Sequence, residues 1–168
     1  TTIRYQIGRC QQLGGQCEDA GASYVELAEA QELLPDVAAK IPFRIAETAV
    51  CAANSRLAAN DLEAAREAVS FAKRKADLAK NTKLDVLSAE DASQLRAELE
   101  LVDADLVTLE TAIFDRRLEA AAAIQDCVTA QPALVALASE VPPGREEAYA
   151  KSKVAVDERC TESSFFAF

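Results

Sequence analysis

Histidine, methionine and tryptophan are absent from this 168-residue chain. Without histidine it lacks the commonest general base, the usual haem ligand and the ligand on which most catalytic zinc sites rest. The Glu-x-x-His pairs of di-iron bundles are excluded for the same reason. Aromatic residues make up only 5% of the sequence, and alanine and leucine dominate, a balance that favours close-packed helices over sheets. Basic charge is also scarce: 18 Lys and Arg against 28 Asp and Glu leave a net charge of −10 and a pI near 4.6. Such an acidic surface repels phosphate, so nucleic acid is not an expected partner. An anionic membrane surface is disfavoured by the same repulsion. No apolar run approaches the ~18 residues of a membrane span, so no transmembrane segment is expected. The missing initiating methionine reads as a processed or trimmed N-terminus with no signal peptide remaining.

Chemical motifs are missing too. There is no glycine-rich phosphate loop, Cys-x-x-Cys redox pair, Cys-x-x-Cys-His haem site or nucleophile elbow. Ser70 and Lys73 match a Ser-x-x-Lys spacing, but no Ser-Asp-Asn or Lys-Thr-Gly follows, and the match is taken as accidental. Glu98, Glu100, Asp103, Asp105 and Glu110 form an acidic cluster that lacks the loop of a calcium site and reads as a solvated helix face. The expectation is a protein that is not an enzyme and holds no metal or cofactor.

What is present is helical periodicity. From Ser88 to Ala130 apolar or small residues recur at Ala92, Leu95, Leu99, Val102, Leu106, Leu109, Ile113, Ala120, Ala123 and Cys127. The steps alternate three and four with one break, where Arg116 falls in register, which predicts one long heptad-patterned helix. Ser88 with Asp91 supplies a start and Gln131-Pro132 a stop. At 1.5 Å per residue such a helix would be roughly 60 Å long, the spine of a bundle.

The other segments follow the same logic. Residues 2–34 read as a continuous first helix, with Ile3, Ile7, Cys10, Gly14, Cys17, Gly21, Tyr24 and Ala28 on one stripe, although Gly14-Gly15 weakens it. Leu34-Pro35 is a turn, and a second helix runs to about Ala59, with Pro42 predicting a kink or a late start near Ile41. Asn60 is placed as the cap of a third helix from Asp61 to about Asn81. A short helix over 132–140, a turn at Val141 to Gly144 and a last helix from Arg145 to about Cys160 complete the chain. The fold class is all-α: an up-down bundle of four main helices plus a short C-terminal one. It forms a single domain over 1–160, with an apolar tail over 161–168.

Five cysteines need an account. Residues equidistant from the turn of an antiparallel hairpin face each other. Cys17 and Cys51 lie symmetrically about Leu34, and Cys127 and Cys160 about Pro143-Gly144. Packed helices 8–10 Å apart bring facing Cα atoms within the ~4.4–6.8 Å that a disulfide spans, so two hairpin disulfides are expected. Each closes a loop worth on the order of 3–4 kcal/mol in the chain-entropy model. Cys10 is then the odd thiol, read as buried and inert, with a bond to another chain or an attached group as the other readings. Two bridges would place the protein in an oxidising compartment: secreted, periplasmic or the lumen of an organelle.

Two features point to partners. Lys73, Arg74, Lys75, Lys80 and Lys83 are the basic concentration of an acidic chain, either balancing a helix C-terminus or docking an acidic partner. Phe165, Phe166 and Phe168 crowd the last residues, suited to folding back over the bundle or inserting into a partner. The functional expectation is an accessory or structural subunit that docks onto a larger protein assembly, such as an extrinsic subunit on the lumenal side of a membrane complex. The alternative is a carrier of a small apolar ligand or pigment held between helices, with Cys10 as an attachment point.

Overall fold

The computed structural model describes the backbone of residues 2–30 and 32–165 and the side chains of these as far as Thr161. Its described residues form seven α-helices and one 3-10 turn, with no strand: α1 Thr2–Leu13, α2 Cys17–Ala28, α3 Pro35–Ala58, α4 Leu62–Lys80, α5 Ala89–Ala123, α6 Cys127–Leu137 and α7 Glu146–Phe165. The result is a helical bundle. The chain divides into two compact units, Thr1–Leu109 and Glu110–Phe168, and the division falls within α5.

Two glycine and asparagine signals account for differences from the sequence reading. The expected helix over 2–34 is broken: α1 ends at Leu13 and α2 begins at Cys17. Gly15 takes a left-handed φ of 76°, its N–H donates to the Gln12 carbonyl, and the Gln16 N–H reaches back to the Gln11 carbonyl at 2.9 Å. That paired closure is a Schellman motif, which glycine enters without a Cβ penalty. Asn60 does the same work after α3, with φ 60° and the Asp61 N–H on the Arg56 carbonyl. The expected helix cap at Asn60 is therefore a C-terminal cap of the preceding helix. Asp61 is the N-cap of α4, its carboxylate accepting from the Ala64 N–H at 3.2 Å.

The late start near Ile41 does not occur: α3 begins at Pro35 and carries Pro42 inside it. Pro42, the eighth residue of α3, removes one backbone bond from the helix interior, and the burial of Ile41, Phe43 and Ile45 around it holds the segment helical. α3 is the central element of the first unit. It packs against α1, α2 and α4 and buries Val37, Ile41, Phe43, Ile45, Ala46, Ala49, Val50 and Ala53 on all sides. The facing stripe of α4 is Ala65, Val69, Ala72, Ala76 and Ala79, small residues that allow a close approach. Ala92, Leu95, Leu99, Val102, Leu106 and Leu109 of α5 are buried as the heptad pattern predicts.

The long helix is shorter than expected. It ends at Ala123, not Ala130, and is about 50 Å long at 1.5 Å per residue. Ser88 does cap its start, accepting from the Asp91 N–H at 3.1 Å. The expected stop at Pro132 fails because a new helix, α6, has already begun at Cys127. Asp126 caps it through the N–H groups of Val128 and Thr129, and Pro132 lies inside it. The break at Arg116 is real and has a consequence. The buried stripe passes from Ile113 and Phe114 to Leu118 and Ala121, leaving Arg116, Ala120 and Ala123 exposed. This change of phase lies just past the boundary between the two units.

In the second unit Phe114, Leu118 and Ala121 of α5 form a core with Ala130, Leu134 and Leu137 of α6 and Val156 of α7. The Tyr149 hydroxyl donates to the Leu134 carbonyl at 3.1 Å. Arg159 donates to the carbonyls of Ala122 and Ile124 at 3.2 and 2.5 Å, satisfying acceptors that the end of α5 leaves open.

Candidate functional site

The cysteine geometry is the part of the candidate site that the sequence placed best. Cys17 and Cys51 lie at disulfide distance with Cα atoms 5.8 Å apart, and Cys127 and Cys160 with Cα atoms 5.5 Å apart. Each pair joins the first residue of a short helix, α2 or α6, to the longer helix that follows it. Cys10 is unpaired, and it is exposed rather than buried. Its expected burial rested on a continuous first helix. The break at Gly15 lets α1 turn a different face to the core.

What α1 turns inward is polar, and the sequence reading missed it. Arg44 of α3 is 6% exposed. Its Nη1 donates to Glu47 at 2.8 Å and to Glu98 of α5 at 2.8 Å, and its Nε to the Tyr5 hydroxyl at 3.3 Å. Glu47 also accepts from Gln12 at 2.8 Å, and Gln12 in turn accepts from Arg9 at 3.0 Å and from the Tyr24 hydroxyl at 3.3 Å. Tyr24 is fully buried, and burial pushes its phenol up to about 12, with Tyr5 adding to the rise and Arg9 and Arg44 opposing it. Burial opposes the charge of the Arg44 guanidinium, and the Glu47 carboxylate and the Tyr5 hydroxyl outweigh it. The ring of Tyr24 also lies under Gly8, where an added Cβ would come within 2.7 Å of it. Periodicity could not reveal this network because Arg44 and Glu47 occupy positions that a heptad reading assigns to a solvent face. An arginine with a glutamate three residues on, both beside an apolar stripe, was the available signal.

The acidic cluster separates accordingly. Glu98 belongs to the Arg44 network, Asp103 pairs with Lys80 at 3.0 Å, and Glu100 and Asp105 are exposed. Among the described residues no group of carboxylates, cysteines or histidines is arranged to hold a metal ion. Ser70 and Lys73 are both exposed on α4.

The basic concentration is narrower than it reads in the sequence. Lys80 is engaged by Asp103 and Asp77. Lys73, Arg74 and Lys75 stand on the part of α4 around Phe71. The Arg74 guanidinium lies 5.9 Å and the Lys75 ammonium 5.3 Å from the centre of that ring, within cation–π range. Phe71 also borders a groove of about 400 Å³. α3 floors it with Ile45, Thr48, Ala49 and Ala52, and Gly21, Ala22 and Val25 of α2 form the opposite wall. Cys17, Glu18, Arg56 and Glu67 also line it. The Cys17–Cys51 link lies at the end of this groove and fixes the α2 wall against its floor. The arrangement offers an apolar slot whose charged lining is Glu18, Glu67 and Arg56, with Phe71 at its edge and the cations of Arg74 and Lys75 against that ring outside the slot.

Phe165 is the last residue of α7, so the final helix runs past Cys160, where the sequence placed its end. Phe166 and Phe168 lie outside the described residues. Among the described residues no helix is long and apolar enough to cross a membrane. Comparison with protein-family models, with curated proteins and with solved structures returns no match.

Proposed function

We propose that this chain is a non-enzymatic accessory subunit that docks onto a larger protein assembly, such as one on the lumenal side of a membrane complex, in an oxidising compartment. The observation that carries the reading is the groove between α2 and α4 with Phe71 at its edge and the cations of Arg74 and Lys75 gathered on that ring. An acidic chain that gathers cations around an aromatic ring beside an apolar slot is suited to an apolar segment flanked by carboxylates. The two cysteine pairs at disulfide distance support the choice of compartment. The finer arrangement that goes with this proposal is an up-down bundle whose terminal phenylalanines Phe165, Phe166 and Phe168 add a second anchor.

The test is native isolation from the source followed by intact-complex mass measurement. Wild-type protein is expected in a complex larger than itself. The variant Lys73→Glu/Arg74→Glu/Lys75→Glu is expected to leave that complex at least tenfold more readily, with helix content unchanged by circular dichroism. A wild-type protein that isolates alone, or a variant retained as tightly as wild type, overturns the reading.

A carrier of a small apolar ligand is the second reading, favoured by the volume of the same groove, which falls within the ~300–1,000 Å³ of ligand pockets. It predicts that protein from its source carries lipid or absorbs visible light. A colourless, lipid-free preparation removes it.

A further inference from the structure

Helix α1 is amphipathic in the reverse sense. Its inward side presents Tyr5, Arg9 and Gln12 to the Arg44 network, while Ile3, Ile7 and Leu13 are 77%, 49% and 78% exposed and Cys10 is exposed between them. An apolar hollow of about 430 Å³ runs along this outer side past Ile3, Gln6, Ile7 and Cys10. Nothing in the described first unit covers it. We infer that this face docks a second copy of the same chain, helix against antiparallel helix about Cys10, and that a disulfide between the two Cys10 residues locks the pair.

Two observations select a second copy as the occupant, and a third says what holds it there. The first is charge. At net −10 the chain repels its own kind over most of its surface, yet the first acidic residue in the sequence is Glu18, and α1 carries only Arg4 and Arg9. The α1 face is thus a place where two copies meet without opposing carboxylates. In the antiparallel arrangement the two Arg4 residues stand roughly 18 Å apart along the helices, beyond the screening length of about 8–10 Å.

The second is self-complementarity. Ile7 and Leu13 lie three residues on either side of Cys10, on the same helix face. A two-fold axis at Cys10 therefore sets Ile7 against Leu13 of the second copy at both ends, as an isologous contact requires. Helices packed 8–10 Å apart bring the two Cys10 Cα atoms into disulfide range.

The third is area. Three aliphatic side chains offer on the order of 300–400 Å² per copy, against the ~800 Å² per partner of a stable interface. The contact aligns the thiols but does not hold the copies together by itself, so the bond between the cysteines is what makes the pair durable.

The oxidant is a small-molecule disulfide of the glutathione class. One Cys10 thiolate attacks it, its sulfur–sulfur bond breaks, one small thiolate leaves and a mixed disulfide forms on Cys10. The Cys10 thiolate of the second copy attacks that Cys10 sulfur and expels the second small thiolate. Two protein thiols are oxidised and one small disulfide is reduced to two thiols. This proposal stands apart from the docking groove between α2 and α4.

The experiment incubates the full chain at low micromolar concentration with oxidised glutathione and follows it by intact mass and by electrophoresis without reductant. The expected product is a dimer linked only through Cys10 and returned to monomer by dithiothreitol, while Cys10→Ser stays monomeric. Ile7→Glu and Leu13→Glu, at exposed positions, are each expected to slow dimer formation at least tenfold, while Cys10 reacts with a small aromatic disulfide at the wild-type rate. Three results overturn the proposal: glutathione retained on a monomer as the end product, a linkage through any other cysteine, or either glutamate variant dimerising at the wild-type rate.

Discussion

Helices α2 and α3 form a hairpin linked between Cys17 and Cys51, and α6 and α7 form another linked between Cys127 and Cys160, with sequence separations of 34 and 33. In both, the first cysteine opens the shorter helix and the second lies in the longer one. What surrounds them differs. The first unit closes around a buried charge, Arg44, whose partners come from α1, α3 and α5. Among the described residues of the second no charged side chain is buried; Arg159 reaches the carbonyls of Ala122 and Ile124 at the end of α5, and Arg145 pairs with Asp115 at 3.0 Å. The same covalent plan therefore serves two kinds of packing. Where a third helix brings polar residues, a buried ion network joins it; where it brings Phe114 and Leu118, an apolar core does.

The largest difference between the units is expected from arginine removal. Arg44→Ala leaves Glu47 and Glu98 without their shared cation at a site that is nearly dry, and should destabilise the first unit by about 3–5 kcal/mol. Arg117→Ala, which breaks a more exposed pair with Glu140, should cost the second unit about 1 kcal/mol or less. Denaturant unfolding of both variants checks this, and equal losses would erase the distinction.

Disulfide removal comes next and should make the units look alike. The two loops are almost equal in length, so Cys17→Ser/Cys51→Ser and Cys127→Ser/Cys160→Ser should each cost about 4 kcal/mol on the chain-entropy account. Paired thermal melts of the two double variants measure it. A difference of more than about 1.5 kcal/mol between them would mean that the surroundings, and not loop closure, set the value of the link.

The smallest effects lie at opposite ends of the pH scale. The Tyr24 phenol is raised from an ordinary 10.0 to about 12. Its contribution is complete below pH 10 and is lost as the pH climbs towards 12, because the unfolded chain releases that proton first. Tyr24→Phe should flatten this alkaline loss, read as stability against pH alongside tyrosinate absorbance. Asp126 in the second unit is held below its ordinary 3.8, chiefly by the Thr129 hydroxyl and then by the N–H groups of Val128 and Thr129. Its contribution is complete above that ordinary value and is lost as the pH falls through the depressed one. Asp126→Ala should therefore lower the melting temperature at pH 7, by an amount that shrinks as the pH falls below the ordinary carboxylate range.

Much of the bundle was legible because burial repeats with the helical period. The stripe from Ala92 to Leu109, the alanine face of α4 and the symmetry of Cys17 with Cys51 all follow from local spacing. Helix ends were less legible. Gly15 and Asn60 stop their helices by adopting left-handed backbone, and a residue that permits a conformation does not announce whether the chain adopts it. Pro132 misled in the other direction: Asp126 sets a helix start further back, and α6 carries the proline as its sixth residue at the loss of one backbone bond.

Of the candidate site, the basic segment Lys73 to Lys75 was visible in the sequence, but the groove beside it was not. That groove exists because α2 and α4 both lean on α3 and leave a gap that no single helix encodes. The all-helical class, the acidic charge and the two cysteine pairings were determined by the sequence itself, because composition and spacing act within one helix or across one turn. Tertiary structure decided which face of α1 looks inward, where α5 changes phase and that Arg44 is buried. Each of those depends on partners that are distant in the chain, with Arg44 to Glu98 spanning 54 residues, so no local pattern contains them.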